Sequence, residues 1–173
     1  SYFCFLQLLE NCGLRAIEIP SSTSGIDPQD VQRAIERFDI SAAILVPNFN
    51  NPDGSFTPDE SKEEIVRMLA ARQIPLVEDD VYGDLYFGEK RPATCKTYDQ
   101  DGGVIYCSSF SKTIAPGYRV GWMIPGRHYE KALELKTTTN ICTAAPNQMA
   151  IAAFLREGYF ERHLRRLRAA IHN

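Results

Sequence analysis

The sequence predicts an α/β fold: a mostly parallel sheet with helices on both faces. Three observations carry this. Short, fully apolar runs, Ala42–Val46, Pro75–Val77 and Val104–Cys107, have the length of buried strands. Stretches with apolar residues at helical spacing stand between and after them. Composition is that of an ordinary globular chain, with 44% hydrophobic and 24% charged residues in 173, about one domain of length.

The elements follow in order. Tyr2–Cys12 reads as a helix, with Phe5, Leu6, Leu8 and Leu9 on one side and Gly13 placed to end it. Arg15–Ile19 reads as a short strand stopped by Pro20, and Ser21–Gly25 as a polar loop. Asp27 caps a helix that opens on Pro28 and runs through Phe38. Ala42–Val46 is the next strand, and Pro58–Arg72 a helix burying Ile65, Met68 and Leu69. Pro75–Val77 leads into Glu78-Asp79-Asp80, a run that also reads as solvated acid groups. Val104–Cys107 and Arg119–Ile124 are further strands, with Trp122 expected in the core. Helices are expected at Tyr129–Thr139, Asn147–Glu157 and Tyr159–Ile171.

Several function classes are excluded at this level. Nineteen Lys and Arg against 22 Asp and Glu give a net charge of −3, which does not make an electrostatic nucleic-acid or membrane binder. The basic run Arg162–Arg168 reads as a solvated helix face whose dry side is Leu164, Leu167 and Ile171. Five cysteines without a CxxC pair indicate reduced thiols and a cytoplasmic location. Three histidines without ligand spacing predict no metal site, and no apolar run is long enough to span a membrane. The chain opens on Ser1 with no leader-like segment, which reads as a domain cut from a longer protein.

In open α/β sheets ligands bind beyond the carboxyl ends of the strands. There the sequence places Asn48-Phe49-Asn50-Asn51-Pro52-Asp53-Gly54, then Glu78-Asp79-Asp80-Val81-Tyr82, then Ser108-Ser109-Phe110-Ser111-Lys112, then Pro116-Gly117-Tyr118-Arg119. An amide, a carboxylate, a phenol, hydroxyls, an amine and a guanidinium converge. An amine can form a Schiff base with an aldehyde. Hydroxyls and a guanidinium fork can hold a phosphate. A carboxylate can hold a protonated pyridine nitrogen, and a phenol with an amide can bind a ring hydroxyl. These are the requirements of pyridoxal 5'-phosphate (PLP).

The order Asn51-Pro52-x-Gly54, Asp79-x-x-Tyr82, Ser109-x-Ser111-Lys112 and Arg119-x-Gly121 resembles the fold-type-I, class I/II aminotransferases, with Asp79 preceding Lys112 by 33 residues. The fuller strings, with Leu85-Tyr86-Phe87-Gly88, resemble the aminotransferase-like domain of MocR-type regulators of the GntR superfamily. The resemblance implies a fold of the aspartate aminotransferase type, with residues 1–173 as part of its PLP-binding large domain. It also implies that the N-terminal winged helix-turn-helix and the C-terminal small domain lie outside this chain. Residue by residue, it implies Lys112 as the Schiff-base lysine and Asp79 as partner of the pyridine nitrogen. Tyr82 and Asn51 would bind the ring hydroxyl, Ser109, Ser111 and Arg119 the phosphate, and Tyr2 would stack on the ring. In a catalytic member Lys112, Asp79 and Tyr82 act in transamination between an amino acid and a 2-oxo acid; in a regulator the cofactor serves to sense an amine. Implied partners are an amino acid or other amine, a second copy of the chain, and DNA only through the absent N-terminal domain.

Overall fold

The computed structural model describes residues 3–172, with side chains from Phe5 onward. Helix α1 (Phe3–Asn11) is followed by Gly13 in the left-handed conformation, φ 68°. A two-residue antiparallel ladder, β1 (Ser21–Ser22) with β2 (Gly25–Ile26), comes next. Then follow α2 (Pro28–Arg37), β3 (Ala43–Leu45), α3 (Asp59–Ala71), β4 (Leu76–Asp79), β5 (Val104–Ser109) and β6 (Gly121–Ile124). Helices α4 (Tyr129–Thr139), α5 (Ala145–Arg156) and α6 (Tyr159–His172) complete the chain.

The main sheet has the order β3-β4-β5-β6. The first two pairings are parallel and the last is antiparallel, in the registers Asp79↔Cys107 and Ser109↔Gly121. The mostly parallel α/β architecture expected from the sequence is therefore present.

One face of the sheet is sealed by α2 and α3. Val31 and Ile35 of α2, Ile65, Val66 and Leu69 of α3, and Leu45, Leu76 and Val104 from three strands form one buried cluster with Cys95. Each such aliphatic side chain contributes roughly 1.5–3 kcal/mol on burial. Helix α2 begins where Asp27 accepts a hydrogen bond from the Gln29 amide at 2.9 Å, with Pro28 in the first turn. Strand alternation then sorts the second face: Val77 and Asp79 of β4, and Ile105, Cys107 and Ser109 of β5, are half-exposed there.

Four expectations are corrected. Arg15–Ile19 is not a strand. Among the described residues it joins neither ladder, and it lines a cavity of about 800 Å³ together with Ala42–Val46. Part of the expected Ser21–Gly25 loop is instead the small ladder, which turns at Thr23 and Ser24 and enters β2 at Gly25, whose φ is 82°. Trp122 is 38% exposed rather than core, and its ring lies 4.7 Å from that of Phe110. On α6, Leu164 is buried and Leu167 half-buried, but Ile171 is 49% exposed, so the dry stripe is shorter than its spacing suggests.

The acidic run Glu78-Asp79-Asp80 is not a solvated patch. Glu78 is fully buried, and its two carboxylate oxygens accept the Cys95 and Lys96 amides at 2.7 and 2.9 Å. These are the first amides of a short 3₁₀ turn, Cys95–Tyr98, so an anion suits them. Nearby, the buried Lys62 ammonium donates to Asp59 Oδ1 at 3.0 Å and the Ala93 carbonyl at 2.8 Å, and sits 4.4 Å from the Phe56 ring centroid. Burial pushes the Glu78 carboxyl from 4.5 up to about 7, against the lowering effect of the two amides.

Two stability measurements follow. Leu69→Ala removes a 2% exposed side chain at the centre of the cluster and is expected to cost ~2–5 kcal/mol in urea unfolding. For Glu78, the folded chain holds a proton that the unfolded chain has already released between its two pKa values. Its contribution is therefore fullest at acid pH and declines as pH rises through about 7. The stability lost in Glu78→Ala should be larger at about pH 5 than at about pH 8; an equal or reversed difference contradicts the shift.

Candidate functional site

The half-exposed face of the sheet ends in three segments that carry the polar residues singled out from sequence. The first follows β3. Its turn is closed by Asn50 N–H donating to the Ser55 carbonyl at 3.0 Å and Gly54 N–H donating to the Asn50 carbonyl at 2.6 Å, with the Asn51–Pro52 bond cis. Asp53 accepts the Ser55 amide and the Asn50 side-chain amide, both at 2.9 Å, and these bonds hold its carboxyl below the usual range. The turn leaves Asn51 half-buried and directed at Tyr82, with Asn51 Nδ2 donating to Tyr82 Oη at 3.4 Å.

The second segment follows β4. Asp79, its last residue, projects to the half-exposed face. Burial raises its carboxyl pKa, the Val81 amide opposes the shift, and neighbouring Asp80 adds to it. Among the described residues no cation forms an ion pair with Asp79. Such a carboxylate is poised for a cationic N–H donor. Tyr82 begins the next turn, and its ring centroid lies 5.6 Å from Lys112 Nζ.

The third segment links β5 to β6. Ser109 ends β5, and its hydroxyl accepts the Ser111 amide at 3.3 Å. Phe110 N–H donates to the Val120 carbonyl and Ile114 N–H to the Phe110 carbonyl, at 3.1 and 2.9 Å, folding the chain into a tight turn. Lys112 sits exposed on that turn. Arg119 has a left-handed backbone, φ 52°, and its guanidinium donates to Ser111 Oγ at 3.4 Å and the Pro116 carbonyl at 3.5 Å. Gly121 lets β6 pass close by: a Cβ there would lie 2.8 Å from the Ser108 carbonyl oxygen and 3.2 Å from Ser109 Cβ.

Contacts thus join Asn51 to Tyr82, Tyr82 to Lys112, Ser109 to Ser111, and Ser111 to Arg119. The sheet register sets Asp79 opposite Cys107, two residues before Ser109. Tyr2 lies outside the described residues. Cys107 is not an activated thiol: burial pushes it up to about 11, and Asp79 adds to the effect. Among the described residues there is no cluster of metal-ligating side chains, and no helix is long and apolar enough to cross a membrane.

Sequence reasoning missed a buried polar network behind the site. Asp80 Oδ1 accepts Asn48 Nδ2 at 2.9 Å; Asp80 Oδ2 accepts Tyr106 Oη at 3.0 Å and is bonded by Arg91 Nη2. Arg91 Nε also donates to Asp84 at 2.7 Å. Burial works against the Arg91 charge, but its bonds to Asp84 and Asp80 outweigh that and hold its pKa above the ordinary value. Burial beside Asp80 pushes the Tyr106 phenol up to about 12. Period-two alternation held part of the signal, because it puts Glu78 and Asp80 on the face opposite Asp79. The basic run divides as well: Arg162, Arg165 and Arg166 are exposed, whereas Arg168 donates to the Asp84 carbonyl at 3.1 Å and lies 4.4 Å from the Tyr86 ring centroid.

Comparison with known proteins agrees with this fold. The sequence matches the family "Aminotransferase class I and II" over residues 1–173. It is 42% identical over 168 residues to the HTH-type transcriptional regulator YjiR of Escherichia coli and 37% identical over 169 residues to YdcR of the same organism. Those matches cover 96% and 95% of this chain, which spans about a third (36%) of each relative's length. Among solved structures, LysN, the α-aminoadipate aminotransferase of Thermus thermophilus complexed with N-(5'-phosphopyridoxyl)-L-leucine, superposes with a TM-score of 0.91 at 32% identity, over 98% of this chain and 44% of that one. The kynurenine aminotransferase of Pyrococcus horikoshii, in complex with PMP, gives 0.92 at 27% identity, over 98% and 43%. The resemblance to aminotransferase-like domains of helix-turn-helix regulators is borne out, and the chain belongs to the class I and II aminotransferase family.

Proposed function

We propose that this chain is the PLP-binding part of the aminotransferase-like domain of a MocR-type, GntR-family transcriptional regulator, where the bound cofactor meets an amino acid or other amine. The observation that carries the reading is the convergence of Asn51, Tyr82 and Lys112, with Asp79, which no cation among the described residues pairs, and the Ser109–Ser111–Arg119 group at the adjoining strand ends. The regulator relatives support the sensing role; the phosphopyridoxyl ligand held by LysN supports the cofactor.

The donor set fits this cofactor. When bound, it supplies an aldehyde that condenses with amines and a protonated ring that withdraws electrons. Lys112 offers the amine for covalent attachment. Asp79 would accept the ring N–H⁺, and that bond would offset the burial that raises its pKa. Tyr82 and Asn51 would donate to the ring oxygen. Ser109, Ser111 and Arg119 supply two hydroxyls and a guanidinium fork for the phosphate. Exposed apolar side chains on α4 and α5, Leu133, Leu135 and Met149, support pairing with a second copy. DNA contact is assigned to a winged helix outside residues 1–173, and the small domain to a segment beyond them.

The test uses the full-length protein. PLP is expected to give a visible absorbance band, and borohydride reduction to leave a pyridoxyl group on Lys112 in the peptide map. Lys112→Ala should abolish both; a band that persists overturns the site assignment. Arg119→Ala should keep the band and weaken PLP binding by about tenfold, the size of one charge-assisted hydrogen bond, measured by titration; unchanged affinity removes Arg119 from the phosphate site. A scan of amino donors separates the sensor from a transaminase, since turnover with a 2-oxo acid acceptor marks a catalytic domain.

A further inference from the structure

Behind the candidate site one residue contacts the segments after β3 and β4 and the strand, β5, that leads into the third. Asp80 is 1% exposed. It reaches the segment after β3 through Asn48, whose amide also donates to the Ala93 carbonyl at 3.2 Å. It reaches β5 three ways. Tyr106 Oη donates to its carboxylate, its own amide donates to the Cys107 carbonyl at 2.9 Å, and Ser108 Oγ donates to its carbonyl at 3.0 Å. It reaches the turn after β4 through Arg91, which is also bonded to Asp84, and through Gly83, where a Cβ would come within 2.5 Å of both carboxylate oxygens.

We propose that Asp80 is a positioning residue: its buried carboxylate holds in one frame the three segments that carry Asn51, Asp79 with Tyr82, and Ser109 with Lys112. What these residues hold rests on the function proposed above; the frame itself does not. The chemistry requires an acid. The carboxylate's side-chain partners are all donors, and one of them is a cation, so only a group that accepts at both oxygens satisfies them. An amide of the same size turns an NH₂ toward a donor and leaves buried groups unpaired. Gly83 keeps the space in which this acid sits. Asp80 faces away from the sheet surface that carries Asp79, so it acts through the backbone and its partners.

The test compares full-length wild type, Asp80→Asn and Tyr106→Phe at a temperature where circular dichroism shows all three folded. Hydrogen exchange is first read without cofactor. In Asp80→Asn, amides in 48–54, 81–85 and 107–113 should exchange about tenfold faster together, while α2 stays protected. Acceleration in one segment only, or equal acceleration of α2, overturns the proposal. With PLP added, the half-saturating concentration should rise by about tenfold and the induced circular dichroism of the visible band should fall per unit absorbance; a loss of stability alone leaves that ratio unchanged among folded molecules. If wild type gives no band, the PLP reading fails, and the cofactor-free exchange pattern still decides the role of Asp80. If Asp80→Asn does not fold, Tyr106→Phe removes one donor and leaves the acid; about threefold faster exchange across all three segments supports the frame, and a change confined to β5 overturns it.

Discussion

Three consecutive carboxylates at the end of one strand, Glu78, Asp79 and Asp80, are the constraint on which the rest of the structure depends. A strand turns successive side chains to opposite faces. Glu78 and Asp80 therefore enter the protein while Asp79 is offered to the open face. Burying two acids is costly unless each is hydrogen-bonded and its charge answered. Glu78 is answered by the amides of the 95–98 turn with Lys62 close by, and Asp80 by Asn48, Tyr106 and Arg91. These bonds, with those from Asn48 and Lys62 to the Ala93 carbonyl, tie the loop from Val81 to Gly103 to the sheet and to α3.

That arrangement links architecture to chemistry. The side sealed by α2 and α3 supplies the apolar burial that stabilises the chain, and the acids inside it fix the loops. The other side carries the reactive groups with little packing of their own: Lys112 and Arg119 are exposed, and Asn51, Asp79, Tyr82, Ser109 and Ser111 are half-buried. Groups so exposed gain their geometry from what lies behind them. The close passages at Gly83 and Gly121 have the same origin, because each lets backbone approach a neighbour that a side chain would displace.

Much of this was legible in the sequence. Apolar runs of strand length gave β3, β4 and β5, the Asp27-Pro28 pair gave the start of α2, and strand-end polar groups gave the contacts now seen between Asn51 and Tyr82 and between Ser111 and Arg119. The remainder depended on contacts that no local pattern records. Arg15–Ile19 has the composition of a strand but joins neither ladder among the described residues. Trp122 lies in a strand that is exposed along its length, so its strand position did not imply burial. Arg91 stands 11 residues from Asp80, and only the fold of the intervening loop brings the two together. The run of three acids resembled a solvated patch until the sheet assigned its faces.

Under the proposed function the weight falls on Asp79, because a protonated ring would serve a sensor and a catalyst alike. The most direct measurement is the ¹⁵N NMR shift of PLP labelled at the ring nitrogen and bound to the full-length protein. The nitrogen should be protonated at neutral pH in wild type and in Asp80→Asn molecules that retain cofactor, and should lose its proton in Asp79→Asn. An unprotonated nitrogen in wild type, or one that stays protonated in Asp79→Asn, contradicts the assignment of Asp79 as partner of the ring nitrogen.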